Sequence, residues 1–244
     1  MNLAQRALAI HQRLLEHYGQ PHWRRRMPPL DELISTILSQ NTNDQNRDRA
    51  FETLRQRFPT WEAVRDADPA EVVAAIRTAG LANRKGPRIQ EILRQITALQ
   101  GNLSLDFLQE LPDEEAYRWL RQFKGIGPKT AAIVLLFSLD KAAFPVDTHI
   151  HRVSGRLGLR PAQMNAEQAH AHLARLFPAE AYYAVHLNLI RLGREICQAR
   201  TPRCSICPLS DLCDYYASSG YSPKGSSSPN FNATHEVKNI TPNT

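Results

Sequence analysis

Four cysteines are the residues of this chain whose type and spacing point most directly to chemistry. The 244-residue sequence contains no others, and they follow the pattern C-x6-C-x2-C-x5-C at Cys197, Cys204, Cys207 and Cys213. Because the whole set lies in one short stretch, we expect a single metal or cluster site and not scattered core residues.

Three other uses of these thiols are less favourable. Packing alone would spread cysteines along the chain, and two disulfides at one end are unnecessary in a chain of this size that begins with no secretory signal. Zinc is the strongest alternative, although structural zinc sites usually use two C-x2-C pairs and only Cys204 and Cys207 form one here. The spacing favours an iron-sulfur cluster and leaves zinc open.

A glycine-containing turn, FKGIGPKT at positions 123–130, is the second motif. Gly125 and Gly127 permit a tight turn, and Pro128 suits the first position of the helix that follows. Backbone N–H groups at this helix start are open to a phosphate oxygen, which the helix dipole also favours. The alternative is an ordinary corner between two helices in which Ile126 fills the core.

Lys129 lies just inside that helix, at the positive end of the helix dipole. This position and partial burial both disfavour the ammonium form, and a neutral amine is a nucleophile. Asp147 in the segment PVDTH provides a carboxylate at the start of a later helix, where the alternative is a plain N-cap. The intervening helix spans roughly 18 Å and the loop 140–146 can cover roughly 23 Å, so both side chains can share one cleft.

The elements that must position these residues are helices. Apolar residues recur at helical spacing from Leu3 to Tyr18, and Gly19 supplies a stop. Asp68 with Pro69 predicts a helix start whose helix ends at Gly80, Asp113 opens the helix before the glycine turn, and Asn165 with Gln168 opens one that runs to Phe177. No pair of alternating strands is evident, so the predicted class is all-α.

Composition limits the possible partners and locations. The formal net charge of +6 favours a polyanionic partner. No apolar run is long enough for a membrane span, and we expect a reducing cytoplasm or nucleoid. From residue 218 to 244 the sequence is rich in Gly, Ser, Pro, Asn and Thr, which predicts a disordered tail. Its N-x-T triplets at Asn232 and Asn239 carry no meaning without a secretory route.

Taken in order, the glycine hairpin, the VDTH motif and the cysteine pattern resemble the endonuclease III family of helix-hairpin-helix DNA glycosylases, from about Leu30 to Tyr216. The resemblance implies a [4Fe-4S] cluster and two helical domains with a DNA-binding groove between them. The implied boundaries are 1–22 for an N-terminal helix packing on the cluster domain, 23–132 for a six-helix barrel with the hairpin, and 133–217 for the cluster domain.

The resemblance also implies an activity. The family excises oxidised pyrimidines from double-stranded DNA through a flipped-out nucleotide and cleaves the abasic site. Lys129 stands at the position of the family's nucleophilic lysine and Asp147 at that of its catalytic carboxylate. Related adenine glycosylases, which lack the lyase chemistry, typically carry serine at the position of Lys129. We therefore expect a bifunctional enzyme acting as a monomer in a bacterial or archaeal cell.

Several further residues are expected to contact DNA. By resemblance, Leu81 is an apolar wedge between stacked bases, Asn41 fills the space left by the flipped nucleotide, and Arg200 and Arg203 touch phosphates from the cysteine loop. The full predicted set comprises Gln40, Asn41, Leu81, Asn83, Arg84, Lys85, Gly125, Ile126, Gly127, His149, Arg200 and Arg203. Two alternatives stay open: a monofunctional mismatch glycosylase, and a non-catalytic DNA-binding or redox-sensing iron-sulfur protein.

Overall fold

A computed structural model of the protein describes residues 1–218. The predicted tail lies outside the described residues from position 219 onward, as do Asn232 and Asn239. Residues 1–218 contain no strand, so the predicted all-α class is confirmed. No helix in this part of the chain has both the length and the apolar character needed to cross a lipid bilayer.

The described chain forms twelve α-helices joined by short loops and 3-10 turns. They are α1 Leu3–Tyr18, α2 Pro29–Ser39, α3 Asp44–Arg57, α4 Trp61–Asp66, α5 Pro69–Ala75, α6 Ala82–Gln100, α7 Asp113–Arg121, α8 Pro128–Ser138, α9 Thr148–Arg156, α10 Ala166–Ala174, α11 Tyr182–Glu195 and α12 Asp214–Ser218.

Two hydrophobic cores organise these helices. The first gathers apolar side chains from α2 to α8, with fully buried residues such as Leu33, Ile37 and Leu93. The second joins α1 to α9, α10 and α11 and includes Leu14 and Leu189. We call the parts around these cores the first and second lobes.

Helix α8 contributes to both cores. Its Ala131, Val134 and Leu135 belong to the first lobe, whereas Leu136 and Phe137 belong to the second. A helix that is apolar all round is normally buried, and α8 is buried on nearly every side. The predicted boundary at 132/133 falls within this shared helix. It stays a prediction, as do the other domain limits.

The predicted and observed helices differ mainly at their C-terminal ends. The predicted starts at Asp68, Asp113 and Asn165 are observed, and Gly19 ends α1 with a φ of 84°. The helix predicted to reach Gly80 ends earlier, at Ala75, and a 3-10 turn at Arg77–Ala79 leads to Gly80. The helix predicted to reach Phe177 ends at Ala174, whose carbonyl oxygen accepts a hydrogen bond from the Tyr182 hydroxyl at 2.8 Å.

Candidate active site

The glycine hairpin joins α7 to α8 and places its own backbone at the surface. Gly125 has a φ of +90°, a conformation that favours glycine, and the Arg88 side chain packs against its open face. Ile126 is buried and its N–H donates to the Phe123 carbonyl at 3.1 Å. Ile126 therefore anchors the hairpin from inside, as the corner interpretation expected, and the two glycines present the open backbone.

Helix α8 begins at the hairpin without a side-chain cap. Gly127 is its N-cap and Pro128 its first residue, as predicted from the sequence. The first N–H groups of a helix have no partner within the helix, so this end of α8 can bind an anion. Lys129 follows in the first turn and is half-buried.

Asp147 is the N-cap of α9. Its Oδ1 accepts a hydrogen bond from the Ile150 N–H at 2.8 Å. Lys129 and Asp147 both line two neighbouring cavities: cavity A, of about 560 Å³, and cavity B, of about 490 Å³. The structure therefore brings the two predicted catalytic side chains together on a wall shared by both cavities.

Cavity A lies between the two lobes. The first lobe lines it with hydroxyl groups, including those of Ser35, Thr36 and Ser39, and the second lobe lines it with apolar side chains such as Leu187 and Ile190. His149, a predicted DNA contact, also lines cavity A, and its Nδ1 lies 3.1 Å from Arg152. The mixture of polar and apolar walls is typical of small-molecule pockets.

A buried carboxylate holds two of the residues that line cavity A. Glu32 has no exposed surface and accepts hydrogen bonds from Arg26 Nε at 2.6 Å and Thr36 Oγ1 at 3.3 Å. The Arg26 guanidinium also lies 4.7 Å from the centre of the Phe137 ring. This arrangement holds a cation at the edge of the cavity, and neither residue was predicted, because no short motif marks them.

His186 is a second residue that the sequence motifs do not mark. It is buried on the wall of cavity A, and its Nδ1 lies 3.0 Å from the carbonyl oxygen of Pro145. Burial lowers the pKa of His186 to about 4, against an opposing effect of Asp147. A buried imidazole with a strongly shifted pKa, in the same cavity as Lys129 and Asp147, marks this cavity as a candidate active site.

The other predicted DNA contacts occupy two surface turns. Asn41 and Leu81 both have left-handed backbone, with φ of 54° and 51°, and both are exposed. Gln40 lines cavity B, and Asn83 and Arg84 are exposed beside Leu81. An exposed leucine in left-handed conformation is strained, which supports a functional role.

Lys85 does not belong to this surface, and the prediction that it contacts DNA is wrong. Its side chain is 3% exposed, and its ammonium donates to the carbonyl oxygens of Leu38 at 2.7 Å and Ala79 at 2.8 Å. Burial lowers the pKa of Lys85. The residue therefore joins the end of α2 to the turn before α6.

The four cysteines line one pocket between α9, α11 and the C-terminal segment. All four are free thiols, and the residues lining the pocket include no histidine or acidic side chain. Burial raises the pKa of the Cys207 thiol to about 11, and Arg156 Nη1 donates to Cys197 Sγ at 3.3 Å. Within residues 1–218, no three His, Cys, Asp or Glu side chains are grouped closely enough for a single metal ion.

An all-thiol donor set fits an iron-sulfur cluster. Nearby backbone N–H groups reinforce the fit, since those of Leu209 and of Tyr215 and Tyr216 bond to the sulfurs of Cys207 and Cys213, and such bonds stabilise thiolate ligands. Arg200 and Arg203 are exposed in the loop between the first two cysteines.

Comparison with known proteins gives matches in both parts of the chain. A family described as "HhH-GPD superfamily base excision DNA repair protein" matches residues 34–179, and "Iron-sulfur binding domain of endonuclease III" matches residues 197–213. Endonuclease III of Thermotoga maritima is 34% identical over 192 residues, which cover 79% of this chain and 85% of that protein.

Two further similarities agree with these matches. A protein of Arabidopsis thaliana provisionally named as a DNA glycosylase is 39% identical over 165 residues, which are 68% of this chain but only 56% of that relative's length. A solved structure of a trapped endonuclease III–DNA covalent intermediate superposes with a TM-score of 0.77 at 26% identity, covering 89% of this chain and 98% of the other.

The superfamily match spans more than half of the sequence, the cysteine segment matches separately, and the Thermotoga relative aligns over most of both proteins. The chain therefore belongs to the endonuclease III family of HhH-GPD base excision repair DNA glycosylases.

Proposed function

We propose that this protein is a bifunctional DNA glycosylase that removes oxidised pyrimidines and then cleaves the abasic site through a Schiff base on Lys129. The observation that carries the proposal is the shared position of Lys129 and Asp147 on the wall between cavities A and B. A hairpin that can bind phosphate lies directly before Lys129, so a DNA backbone held there brings a nucleotide to the amine.

The chemistry proceeds in two stages. The Lys129 amine forms a bond to the sugar C1′, the glycosidic bond breaks, and the base leaves with the bonding electrons and a proton. Ring opening gives an imine, loss of the C2′ proton follows, and the C3′–O bond breaks with the phosphate as leaving group. The Asp147 carboxylate accepts a proton from the Lys129 ammonium, passes it to the departing base and, as an anion again, stabilises the positive charge that develops on the sugar.

The surface turns support this pathway. Leu81 is exposed on the turn before α6 and is suited to separating stacked bases, while Gln40 lines cavity B and Asn41 follows it on the same turn. Gly125 and Gly127 offer N–H groups to a phosphate, and Arg200 and Arg203 offer charge at a second point. A duplex spanning both lobes would then place an extruded base in the groove.

The decisive experiment is borohydride trapping on duplexes carrying an abasic site or thymine glycol. Wild-type protein should form a covalent adduct, because only an imine is reduced to a stable amine. Lys129→Ala should abolish trapping and strand cleavage while retaining DNA affinity, and Lys124→Ala, which changes an exposed lysine of the same hairpin, should leave both unchanged.

Two results would contradict the proposal. Base release without trapping by wild-type protein would indicate a monofunctional glycosylase, and a panel including mismatched duplexes would then identify its substrate. DNA binding without base release on any lesion would indicate a non-catalytic or redox-sensing role.

We infer that Cys197, Cys204, Cys207 and Cys213 hold a [4Fe-4S] cluster. When bound, the cluster would cross-link the four cysteine thiolates within a short segment that has little core of its own. A purified brown protein with four irons and four sulfides per chain is expected, whereas a colourless protein rich in zinc would contradict this assignment.

We also infer that the enzyme acts as a monomer on double-stranded DNA, since one chain forms the hairpin, both cavities and the cysteine pocket. Size-exclusion chromatography with a lesion duplex should give one protein per duplex. A dimer would contradict the inference. The cytoplasmic, nucleoid-associated location stays a prediction.

A further inference from the structure

His186 is a buried residue beside the two proposed catalytic side chains. It belongs to α11 in the second lobe, is 3% exposed, and shares the wall of cavity A with Lys129 and Asp147. The edge of its ring contacts Phe137 of α8, with 5.3 Å between ring centres. The imidazole therefore joins α8 and α11 behind the two reactive side chains.

The hydrogen bond of His186 fixes its tautomer. The Nδ1 atom lies 3.0 Å from the carbonyl oxygen of Pro145, and a carbonyl oxygen only accepts, so Nδ1 carries the proton. Nε2 then carries the lone pair, and none of the hydrogen bonds among residues 1–218 involves this atom.

Pro145 connects this bond to Asp147. It stands two residues before Asp147, in the buried final stretch of the return loop from α8. Proline has no N–H to anchor this stretch to a neighbour, and the His186 bond to its carbonyl oxygen provides that anchor from another helix. Asp147 itself is held by its bond to the Ile150 N–H. The two bonds together fix the approach to α9 from both sides.

The charges around the ring keep it neutral. Lys129 of α8 and Arg26 of the segment before α2 oppose a charge on it, and Asp147 favours one, but burial outweighs Asp147. A charged imidazolium would form its own ion pair with Asp147 and compete with Lys129 for that carboxylate. The neutral ring leaves Asp147 available to the lysine.

We propose that His186 is a positioning residue for Asp147, acting through its Nδ1–H bond to the carbonyl oxygen of Pro145. The inference rests on the proposed catalytic role of Asp147. If the proposal is correct, catalysis depends on a hydrogen-bond donor at the position of Nδ1 and not on the imidazole ring itself.

Replacement by asparagine and leucine separates these requirements. The side-chain NH2 of asparagine lies close to the place of Nδ1, so His186→Asn keeps a donor toward Pro145, whereas His186→Leu keeps volume and removes the donor. His186→Gln places its amide one bond further from the backbone than Nδ1. It therefore replaces the leucine variant, as the change that removes the donor from this position, if His186→Leu does not fold. Single-turnover base release on a thymine-glycol duplex and duplex affinity are measured for each, with thermal unfolding to confirm the fold.

We expect base release by His186→Leu to fall about 10- to 100-fold, the range for a misplaced catalytic group. Duplex affinity should be unchanged, because His186 is 3% exposed and offers almost no surface to a duplex. His186→Asn should stay within about threefold of wild type. Equal losses in the asparagine and leucine variants at equal unfolding temperature, or no loss in either, would overturn the proposal.

Asp147→Asn in the same assay separates this proposal from the proposed function. If Asp147→Asn releases base at the wild-type rate, the catalytic assignment fails and the His186 proposal fails with it. If Asp147→Asn is inactive while His186→Leu is normal, only the positioning role of His186 is lost.

Discussion

His186 gives the protein a stability that depends on pH. Its pKa is about 4 in the folded state, against an ordinary value of 6.5, chiefly because burial disfavours the charged ring. The unfolded chain therefore binds more protons between these values, so the free energy of unfolding falls as pH decreases from 6.5 toward 4. The loss should total roughly 3 kcal/mol.

The prediction is checked by urea unfolding of wild type and His186→Asn across this pH range. Since asparagine does not titrate, the difference between the two unfolding free energies should shrink, or change sign, as the pH is lowered. His22→Asn removes an exposed histidine and should leave the wild-type curve unchanged. Parallel curves for wild type and His186→Asn would show that the ring does not resist protonation.

Leu81 combines exposure with strain, which predicts opposite effects on stability and activity. Its side chain is 47% exposed and its φ is 51°, a conformation that asparagine tolerates better than leucine. Leu81→Asn should raise the free energy of unfolding by up to about 1 kcal/mol. It should also lower base release on duplex DNA about tenfold or more, because the apolar wedge is lost.

Matched measurements of unfolding and single-turnover base release check this prediction. Leu99→Asn is a suitable control, because Leu99 is similarly exposed at 54% but lies in the last turn of α6, with ordinary helical backbone. That change should not stabilise the fold or affect base release. A fully active Leu81→Asn would exclude the wedge.

Individual residues were predictable where a short motif contains them. The cysteines, Lys129 and Asp147 each belong to such a motif, whereas His186 lies in a helix whose pattern predicts only amphipathicity. Lys85 shows the opposite error, since its position beside Asn83 and Arg84 suggested a surface contact. Two unpaired carbonyl groups from Leu38 and Ala79 draw it inside, and sequence spacing does not reveal such tertiary partners.

At the scale of the element, two arginines from other helices lie against the hairpin that leads into α8, and no motif predicted them. Arg88 of α6 packs against Gly125, and Arg121 of α7 donates from Nη1 to the Ile126 carbonyl oxygen at 3.2 Å. Arg121 also pairs with Glu167 of α10 at 3.3 Å. Because Glu167 is exposed and lines cavity B, we expect it to compete with a DNA phosphate for the Arg121 guanidinium.

Removing this competing charge should strengthen DNA binding. Glu167→Gln is expected to raise duplex affinity about two- to fivefold at low salt, and Arg121→Ala to lower it and reduce the slope of log affinity against log salt by about 0.9. The measurement is fluorescence anisotropy over a salt series. Glu71→Gln is the matched control, since Glu71 is an exposed partner of Arg57 away from the hairpin. Unchanged affinity in Glu167→Gln would exclude the competition, and an unchanged salt slope in Arg121→Ala would exclude Arg121 as a phosphate contact.

Helix starts were predictable from the sequence because they depend on local side chains. Asn165 and Gln168 form the capping box that their spacing indicates, and Asp147 caps α9. Helix ends were less predictable because distant partners set them. The Tyr182 hydroxyl binds the last carbonyl of α10, and the Lys85 ammonium binds the turn before Gly80.

At the scale of the whole molecule, α8 and two ion pairs connect the lobes on either side of the wall that Lys129 and Asp147 share. Arg194 of α11 meets Asp44 of α3 at 2.8 Å beside cavity A, and Arg121 meets Glu167 beside cavity B. Exposed pairs contribute little to stability. Each pair instead holds an arginine beside a cavity that Lys129 and Asp147 line.

The cysteine segment depends on contacts from other helices. Arg6 and Arg13 of α1 donate to the carbonyl oxygens of Leu212 at 2.7 Å and Pro208 at 2.9 Å, and Arg156 of α9 donates to that of Gln198 at 2.7 Å. All three acceptors lie between the first and last cysteines or directly beside one. Loss of the proposed cluster should therefore lower the local stability of α1 and α9 as well as that of the segment itself.

We accordingly predict that Cys204→Ser, which removes one thiolate, increases amide hydrogen exchange in residues 197–218 and in α1. The first lobe should keep its protection, because its core contains no residue of the segment. Local opening without global unfolding is the general pattern for weakly packed parts. Ser205→Ala alters an exposed neighbour in the same loop and should change neither region. If α1 keeps its protection in Cys204→Ser, the segment folds without the cluster, and if the first lobe opens together with α1, the lobes unfold as one unit.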